Sequence, residues 1–432
     1  MGRRRTIFGW AMYDFANSAF ATTVLAVVFV DYFRRAVVGE APVRIFGGVP
    51  GYSLWLYVFS LAMVLVVVTG PTLGALADAA SRRKLFLVVL CVVGSATTCL
   101  MALVGPGDVL LALLLLVVSA YAFAAGNIFY NSFLPDVSMG DNVGRVSGLG
   151  WGLGYLGGGL CLVLNLAMIS EPAWFGIPDE NYLPVRLSVC VAGVWWLVFA
   201  VPMFLWVKER REDAPSGDVS FRRGMRSVLA TLGHLRSFRT LFLFVGAFLL
   251  YSNGVEAILG AGVLFGGQEL KMTQTELVKC FLMIQGVALV GSLFCGWLAD
   301  RVGEKPTVLG SLVVWMAVLF WARYVDEKFE FWLMGAAVGL VMGGTQAASR
   351  SLMAVMTPAR HKAEFFGFYA FGDRMAAVLG PLVCAIVAQR TGSMRAAVVS
   401  LLVFFAAGGV LLLFVNVRRG VAEKERAETG EA

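Results

Sequence analysis

The sequence predicts an all-α membrane protein with twelve transmembrane helices in two pseudosymmetric six-helix bundles. Three observations predict it. The 432 residues are 59% hydrophobic and only 15% charged, with a mean hydropathy of +0.79; soluble domains sit near 45–50% apolar and about 25% charged. Apolar runs long enough for the ~20 residues that a helix needs to cross a bilayer recur twelve times. A short motif occurs twice, Gly74-Ala75-Leu76-Ala77-Asp78 and Gly296-Trp297-Leu298-Ala299-Asp300, with the copies 222 residues apart, about half the chain. So long a period indicates two homologous halves rather than a solenoid.

The elements follow in order. After Met1-Gly2-Arg3-Arg4-Arg5, the run from about Phe8 to Phe33 is too long for a signal peptide and carries Asp14 and Asn17, so it is read as an uncleaved first span. A polar loop over about 34–50 holds Pro42, Gly47, Gly48 and Pro50. Span two (about 51–77) ends in the first motif, and span three covers about 85–104. Gly105-Pro106-Gly107 turns the chain into span four (about 109–133), which Pro135-Asp136 closes. Span five (about 145–168) carries Gly148, Gly150, Gly152, Gly154, Gly157, Gly158 and Gly159, a surface suited to tight helix packing or to a hinge. Span six covers about 185–207. The longest polar stretch, Lys208 to Arg239, joins the halves, and 219–236 has the pattern of an amphipathic helix on the cytoplasmic face. Spans seven to twelve fall at about 240–265, 276–299, 306–324, 331–356, 364–388 and 395–415. The polar tail from Asn416 is expected to fray. The domain division is an N-terminal bundle (1–207), a cytoplasmic linker (208–239) and a C-terminal bundle with its tail (240–432).

Orientation follows from charge. With termini, linker and both motif loops in the cytoplasm, about 23 of the 35 Lys and Arg residues lie there and about 10 at the other face, while Arg350 and Arg374 fall within spans. The positive-inside rule then selects cytoplasmic termini, and a bacterial inner (plasma) membrane is the expected location. The net charge of +7 is spread through loops between apolar runs, which marks membrane orientation and not a nucleic-acid partner. The seven cysteines sit in apolar segments without a C-x-x-C pair, and no Walker loop, H-E-x-x-H or G-x-S-x-G occurs. No enzyme activity, cofactor or metal is expected.

In each motif, glycine permits close helix approach, the aspartate ends a helix at the water boundary, and the basic residues hold the loop in the cytoplasm. The repeat extends further: Tyr13-Asp14-Phe15-Ala16-Asn17 in span one corresponds to Tyr251-Ser252-Asn253-Gly254-Val255-Glu256 in span seven. The paired G-x-L-A-D loops resemble the hallmark loop of the major facilitator superfamily, with Ala79 and Ser81 replacing the usual basic residue and glycine in the first copy, and Glu304 replacing a basic residue in the second. Gly9-Trp10-Ala11-Met12-Tyr13-Asp14-Phe15-Ala16-Asn17-Ser18, Gly144-Arg145-Val146-Ser147-Gly148-Leu149-Gly150, Gly343 through Leu352, and Glu364-Phe365-Phe366-Gly367-Phe368-Tyr369 resemble the vacuole-effluxer branch of that superfamily, over nearly the whole chain. The resemblance implies a two-bundle fold and solute transport. The family often has an acid at the position of Asn253, an amide near Glu256, and Gly-Lys where this chain has Asp373-Arg374.

Charged groups inside spans are costly and therefore functional candidates. The resemblance and the internal pseudosymmetry place spans one, four, seven and ten around the cavity. The candidates for the solute or ion pathway are Asp14, Asn17, Asn127, Asn131, Asn253, Glu256, Gln346 and Arg374; Gln285 lies in span eight. Asp14 is placed about four residues, ~6 Å, inside span one, with Asn17 one turn deeper. Asp14 and Asn17 can equally be a helix-end cluster satisfied by neighbours, and Asn127 and Asn131 can equally bond between helices. Glu256 is placed beyond the midplane. Arg374 either tunes Glu256 or neutralises Asp373, and the ~100° between adjacent side chains means that Asp373 and Arg374 need not pair directly. The gating-loop candidates are Asp78, Arg82, Arg83, Asp300 and Arg301. The leading expectation is a secondary active transporter for a small polar solute, with amino acids or similar metabolites moved outward as the favoured class and protons or another ion as coupling partner. Drug or lipid efflux, and a non-transporting membrane sensor or scaffold, are the alternatives.

Overall fold

The computed structural model describes residues 2–39, 51–138, 142–209 and 237–429. Secondary structure among them is helical, and twelve helices are long and apolar enough to cross a membrane. We number them α1 (Arg3–Val38), α2 (Ser53–Ala79), α3 (Arg83–Leu103), α4 (Val109–Ser138), α5 (Val143–Ser170), α6 (Leu183–Trp206), α7 (Arg239–Gln268), α8 (Thr275–Val302), α9 (Glu304–Trp321), α10 (Lys328–Met356), α11 (Ala359–Thr391) and α12 (Met394–Leu413). Residues 40–50 of the expected outer loop and the expected amphipathic segment 219–236 of the linker lie outside the described residues.

Two expectations are corrected. The first helix is longer than the apolar run suggests, from Arg3 to Val38, with π-helical turns over Ala21–Val27 and Phe33–Val38. Arg34 and Arg35 do not end it because both pair with Asp31 one turn back, at 3.1 and 2.8 Å. Asp14 lies eleven residues along this helix, ~17 Å from its first residue. From Val417 to Thr429 the tail does not fray but forms a further helix, α13. Buried Glu423 accepts hydrogen bonds from Thr240 N (3.1 Å) and Thr240 Oγ1 (3.0 Å), and Glu428 accepts one from Ala359 N (3.0 Å). These bonds satisfy helix-end amides that would otherwise be orphaned.

The chain packs as two compact units. The first comprises Met1–Val68, Arg82–Tyr130 and Leu153–Glu209; the second comprises Thr69–Ser81, Asn131–Gly152 and Arg210–Ala432. In the first, α1, α3 and α6 approach closely at glycines. A Cβ on Gly193 of α6 would lie 2.6 Å from Cys99 Sγ and 2.8 Å from Ser95 O. In the second, α7 meets α12 at Gly408, where a Cβ would come within 2.8 Å of Tyr251 N, and α8 meets α10 at Gly291 and Gly339. Its short first segments, the end of α2 and the α4–α5 connection, pack on α8, α10 and α11. Small residues at helix crossings are the means by which membrane helices gain contact without a hydrophobic drive.

Candidate functional site

The two motif aspartates have matching jobs within the second unit. Asp78, at the end of α2, accepts the backbone N–H of Glu364 in the first turns of α11 at 2.9 Å. Asp300, at the end of α8, accepts the N–H of Gly144 (2.7 Å) and of Arg145 (3.1 Å) in the first turn of α5, with Arg145 Nε a further 3.6 Å away. Each therefore caps a helix that belongs to the other half of the sequence. A carboxylate there satisfies unbonded amides and meets the positive end of the helix dipole. The motif glycines make this possible. A Cβ on Gly74 would lie 2.5 Å from Ala363 C, and one on Gly296 would lie 2.5 Å from Gly144 O and 3.0 Å from Gly148 Cα.

The motif's basic residues do other work. Arg83 is buried in the first unit, its backbone N–H donating to Glu209 Oε1 at 2.6 Å. Arg82 is exposed. Arg301 is exposed and lies over the Trp297 ring, 4.4 Å from its centroid.

Two buried cations join α10 and α11 to the α4–α5 region. Lys362 Nζ donates to Asp136 Oδ1 at 2.7 Å, with both side chains under a tenth exposed. Arg350 of α10 is 2% exposed. Its Nε donates to Ser147 Oγ (3.0 Å), one terminal nitrogen to Ser147 O (2.7 Å) and the other to Asn131 Oδ1 (3.2 Å), and its plane lies 5.3 Å from the Trp151 ring centroid. The Ser147 hydroxyl in turn donates to Ala347 O of α10 at 2.7 Å.

In the first unit the sequence candidates Asp14, Asn17 and Asn127 come together. Asn17 Nδ2 donates to Asn127 Oδ1 at 2.8 Å, and Tyr130 Oη donates to Asp14 Oδ2 at 2.8 Å. Tyr130 stacks between Trp10 (4.6 Å between centroids) and Tyr13 (4.9 Å), and Trp10 Nε1 donates to Tyr130 O at 3.1 Å. Aromatic packing fixes the phenol, and the phenol fixes the carboxylate. Asn131 does not join this cluster; it serves Arg350 in the second unit.

On α7 and α11 the second unit brings Glu256, Asp373 and Arg374 within electrostatic reach of one another. Asp373 and Arg374 do pair directly, at 3.2 Å, and Arg374 Nε is buried without a hydrogen-bond partner. Asn253 is fully buried and works between helices, its Nδ2 donating to Leu249 O (2.6 Å) and its Oδ1 accepting from Gly380 N of α11 (2.8 Å). Gln346 is half-buried on α10, one turn before Arg350. Gln285 is buried on α8.

Arg350, Ser147 and the Lys362–Asp136 pair carry no candidate role in the sequence reading. The signal for Arg350 was available: a lone charge inside an apolar run. Of its partners Asn131 and Ser147, the first is among the sequence candidates, whereas Ser147 gives no signal because serine is unremarkable at any single position.

Comparison with known proteins agrees with this architecture. Residues 2–425 match the family described as "Vacuole effluxer Atg22 like". The uncharacterized MFS-type transporter YxiO of Bacillus subtilis (strain 168) is 33% identical over 411 residues, covering 94% of each chain. Autophagy-related protein 22 of Eremothecium gossypii is 24% identical over 477 residues, covering 98% of this chain and 92% of that one. Among solved structures, the human organic anion transporter MFSD10 superposes with a TM-score of 0.73 at 16% identity, covering 95% of this chain and 100% of that one. Twelve membrane-spanning helices, a motif repeated at the same place in each half and a family match over nearly the full length lead to one assignment: the chain belongs to the Atg22-like vacuole effluxer family and has the fold of the major facilitator transporters.

Proposed function

We propose that the chain is a secondary active transporter that exports a small polar solute by alternating access, with amino acids or similar metabolites as the favoured cargo. The observation that carries this reading is the reciprocal capping by Asp78 and Asp300. Each cap ties one sequence half to a helix end of the other, and a cap contributes about 0.5–2 kcal/mol. Bonds of that size hold one state at rest yet yield to the differential affinity of a ligand, which is what a reversible gate requires. With N-terminal bundle 1–207, linker 208–239 and C-terminal bundle 240–432, both motif loops and both termini face the cytoplasm, and the caps close that side. Asp14, Asn17 and Asn127 in the first unit, and Glu256, Asp373 and Arg374 in the second, are the groups suited to a polar solute and to a coupling proton or other ion. The efflux named in the family description supports the outward direction.

The test is thermal stabilisation of the purified full chain across a metabolite panel, followed by flux of the stabilising compound in liposomes. A specific ligand at 100 times its Kd stabilises by about 2.7 kcal/mol. Stabilisation by amphiphilic drugs or lipids alone would favour the efflux of such compounds instead. A ligand that stabilises but never crosses the bilayer would favour a sensor.

A further inference from the structure

We propose that the first unit holds a binding site for an internal water molecule, formed by Tyr13 of α1, Cys91 and Ser95 of α3 and Trp196 of α6, with Gly126 of α4 leaving the room. All four side chains are at most 1% exposed. Tyr13 Oη, Ser95 Oγ and Trp196 Nε1 are buried, and none of the three has a hydrogen-bond partner within the protein. They are also neighbours. Tyr13 lies within electrostatic reach of Trp196 and Cys91, and Cys91 within reach of Ser95, one turn along the same face of α3. The Ser95 carbonyl is 2.8 Å from where a Cβ on Gly193 would lie, one turn before Trp196 on α6. Phenol, hydroxyl, indole and thiol all bring a hydrogen to donate. A water oxygen accepts two of them and its hydrogens go to the remaining lone pairs, the usual way in which buried polar groups without protein partners are satisfied.

The second half of the sequence shows a side chain doing the same job. Tyr251 corresponds to Tyr13, and its Oη lies 2.6 Å from Ser349 Oγ of α10. The counterpart of Ser349 is Gly126: each stands nine residues before a proline, Pro358 in one half and Pro135 in the other. The two positions also face the same phenol, since a Cβ on Gly126 would lie 3.1 Å from Tyr13 Oη. Glycine in place of serine removes the hydroxyl and leaves room on the scale of one water. The site steadies more than itself. Tyr13 stacks on Tyr130 at 4.9 Å, and Tyr130 donates to Asp14, so a fixed Tyr13 ring supports the phenol that holds this carboxylate. None of this depends on the transport reading.

The experiment reads the sign of a melting shift in the purified full chain. A hydroxyl stranded in a dry interior is destabilising, so deleting it raises the melting temperature; a hydroxyl bonded to buried water leaves that water short of a partner, so deleting it lowers the melting temperature. Tyr13→Phe and Ser95→Ala should each lower it by about 2 °C or more, and together by less than the sum, because they share one ligand. Gly126→Ser, which restores the hydroxyl of the second half, should melt above Gly126→Ala, and Tyr13→Phe should erase that difference. A direct readout uses hydroxyl radicals generated by X-rays, which form from bound as well as bulk water. Trp196 should be oxidised severalfold faster than Trp315, which is equally buried but bonded to Thr345 Oγ1 at 3.0 Å, and Gly126→Ser should slow the oxidation of Trp196. If a variant fails to fold, labelling of the unaltered chain still decides. Melting temperatures that rise for both Tyr13→Phe and Ser95→Ala, or a Trp196 oxidised no faster than Trp315, overturn the proposal.

Discussion

Asp300 accepts the backbone N–H of Gly144 at 2.7 Å, and the same carboxylate reaches Arg145 N at 3.1 Å. An asparagine in its place keeps one acceptor oxygen and loses the charge that meets the dipole of α5. Asp300→Asn and Asp78→Asn should therefore weaken the proposed cytoplasmic closure by about 0.5–2 kcal/mol each. Transport should fall, crosslinking between the sequence halves should shift toward the inward-open pattern, and equilibrium affinity should stay within a few-fold. Loss of binding outright in a folded, monodisperse mutant would count against a gating role.

The glycines make a steric version of the same test. A Cβ at Gly296 would sit 2.5 Å from Gly144 O, and at Gly74 2.5 Å from Ala363 C, both backbone atoms that cannot swing aside. Gly74→Val and Gly296→Val should therefore hold α2 off α11 and α8 off α5. Overpacking typically costs about 1–3 kcal/mol, and here it falls on the closed state. Ser292 of α8 is fully buried, its Oγ 3.0 Å from where a Cβ on Gly152 of α5 would lie, so maleimide labelling of a Ser292→Cys reporter should rise in both. An unchanged rate would mean that the helices re-pack without parting.

How much of this was legible in the sequence depends on the range of the interaction. Spans, halves and motif positions are set by hydropathy and local turns, and a composition-level reading reaches them. The register even shows in a departure: Ser81 holds φ +48°, and Gly303, seven residues into the second copy as Ser81 is in the first, holds φ +99°. The turn geometry survives although the glycine does not. What the aspartates bind was not legible, because amides at the start of α5 and α11 leave no mark in side-chain chemistry. The direct Asp373–Arg374 pair and the α13 cap on Thr240 depend on rotamer and tertiary packing, which spacing cannot supply. Helical phase also did not separate Asn131 from Asn127: they lie one turn apart on α4, yet one serves Arg350 and the other Asn17.

The tail helix gives a stability prediction. Glu423→Ala removes both bonds to Thr240 and leaves the first turn of α7 uncapped. A loss of about 1–2 kcal/mol is expected, read as a lower melting temperature of the purified protein. Truncation before Val417 should do at least as much damage. A melting temperature that survives both changes would show that α13 does not secure α7.

Asn253 and Asn17 separate packing from the pathway. Asn253 spends its amide between Leu249 O and Gly380 N in a fully buried site, so Asn253→Ala strands a buried amide and costs about 1–3 kcal/mol. The folded fraction should bind ligand with unchanged affinity. Asn17→Ala should do the reverse: the partner Asn127 is half-buried and can be rewetted, so stability changes little while solute affinity drops. Equal effects on melting and on affinity for both variants would remove Asn17 from the pathway.

Glu256 is the principal candidate for the proton or cation site, with Arg374 tuning it. It lies seventeen residues along α7, ~25 Å from the helix start, in reach of Asp373 and Arg374. A carboxylate at such depth must be paired, hydrated or protonated. Arg374 is already bound to Asp373 at 3.2 Å, so two carboxylates compete for one guanidinium. Movement of α7 against α11 changes which of them wins, and that exchange would couple ion binding to conformation. Glu256→Gln removes the competition and the titratable group together. Gradient-driven accumulation in liposomes with an imposed pH difference should then disappear, while exchange of labelled solute across the membrane continues. Arg374→Ala should alter the pH profile of uptake between pH 5 and 8 without abolishing it. If the Gln variant still accumulates solute against its gradient, the coupling group is elsewhere. The carboxylate to test next is then Asp14, whose Oδ2 already accepts a hydrogen bond from Tyr130.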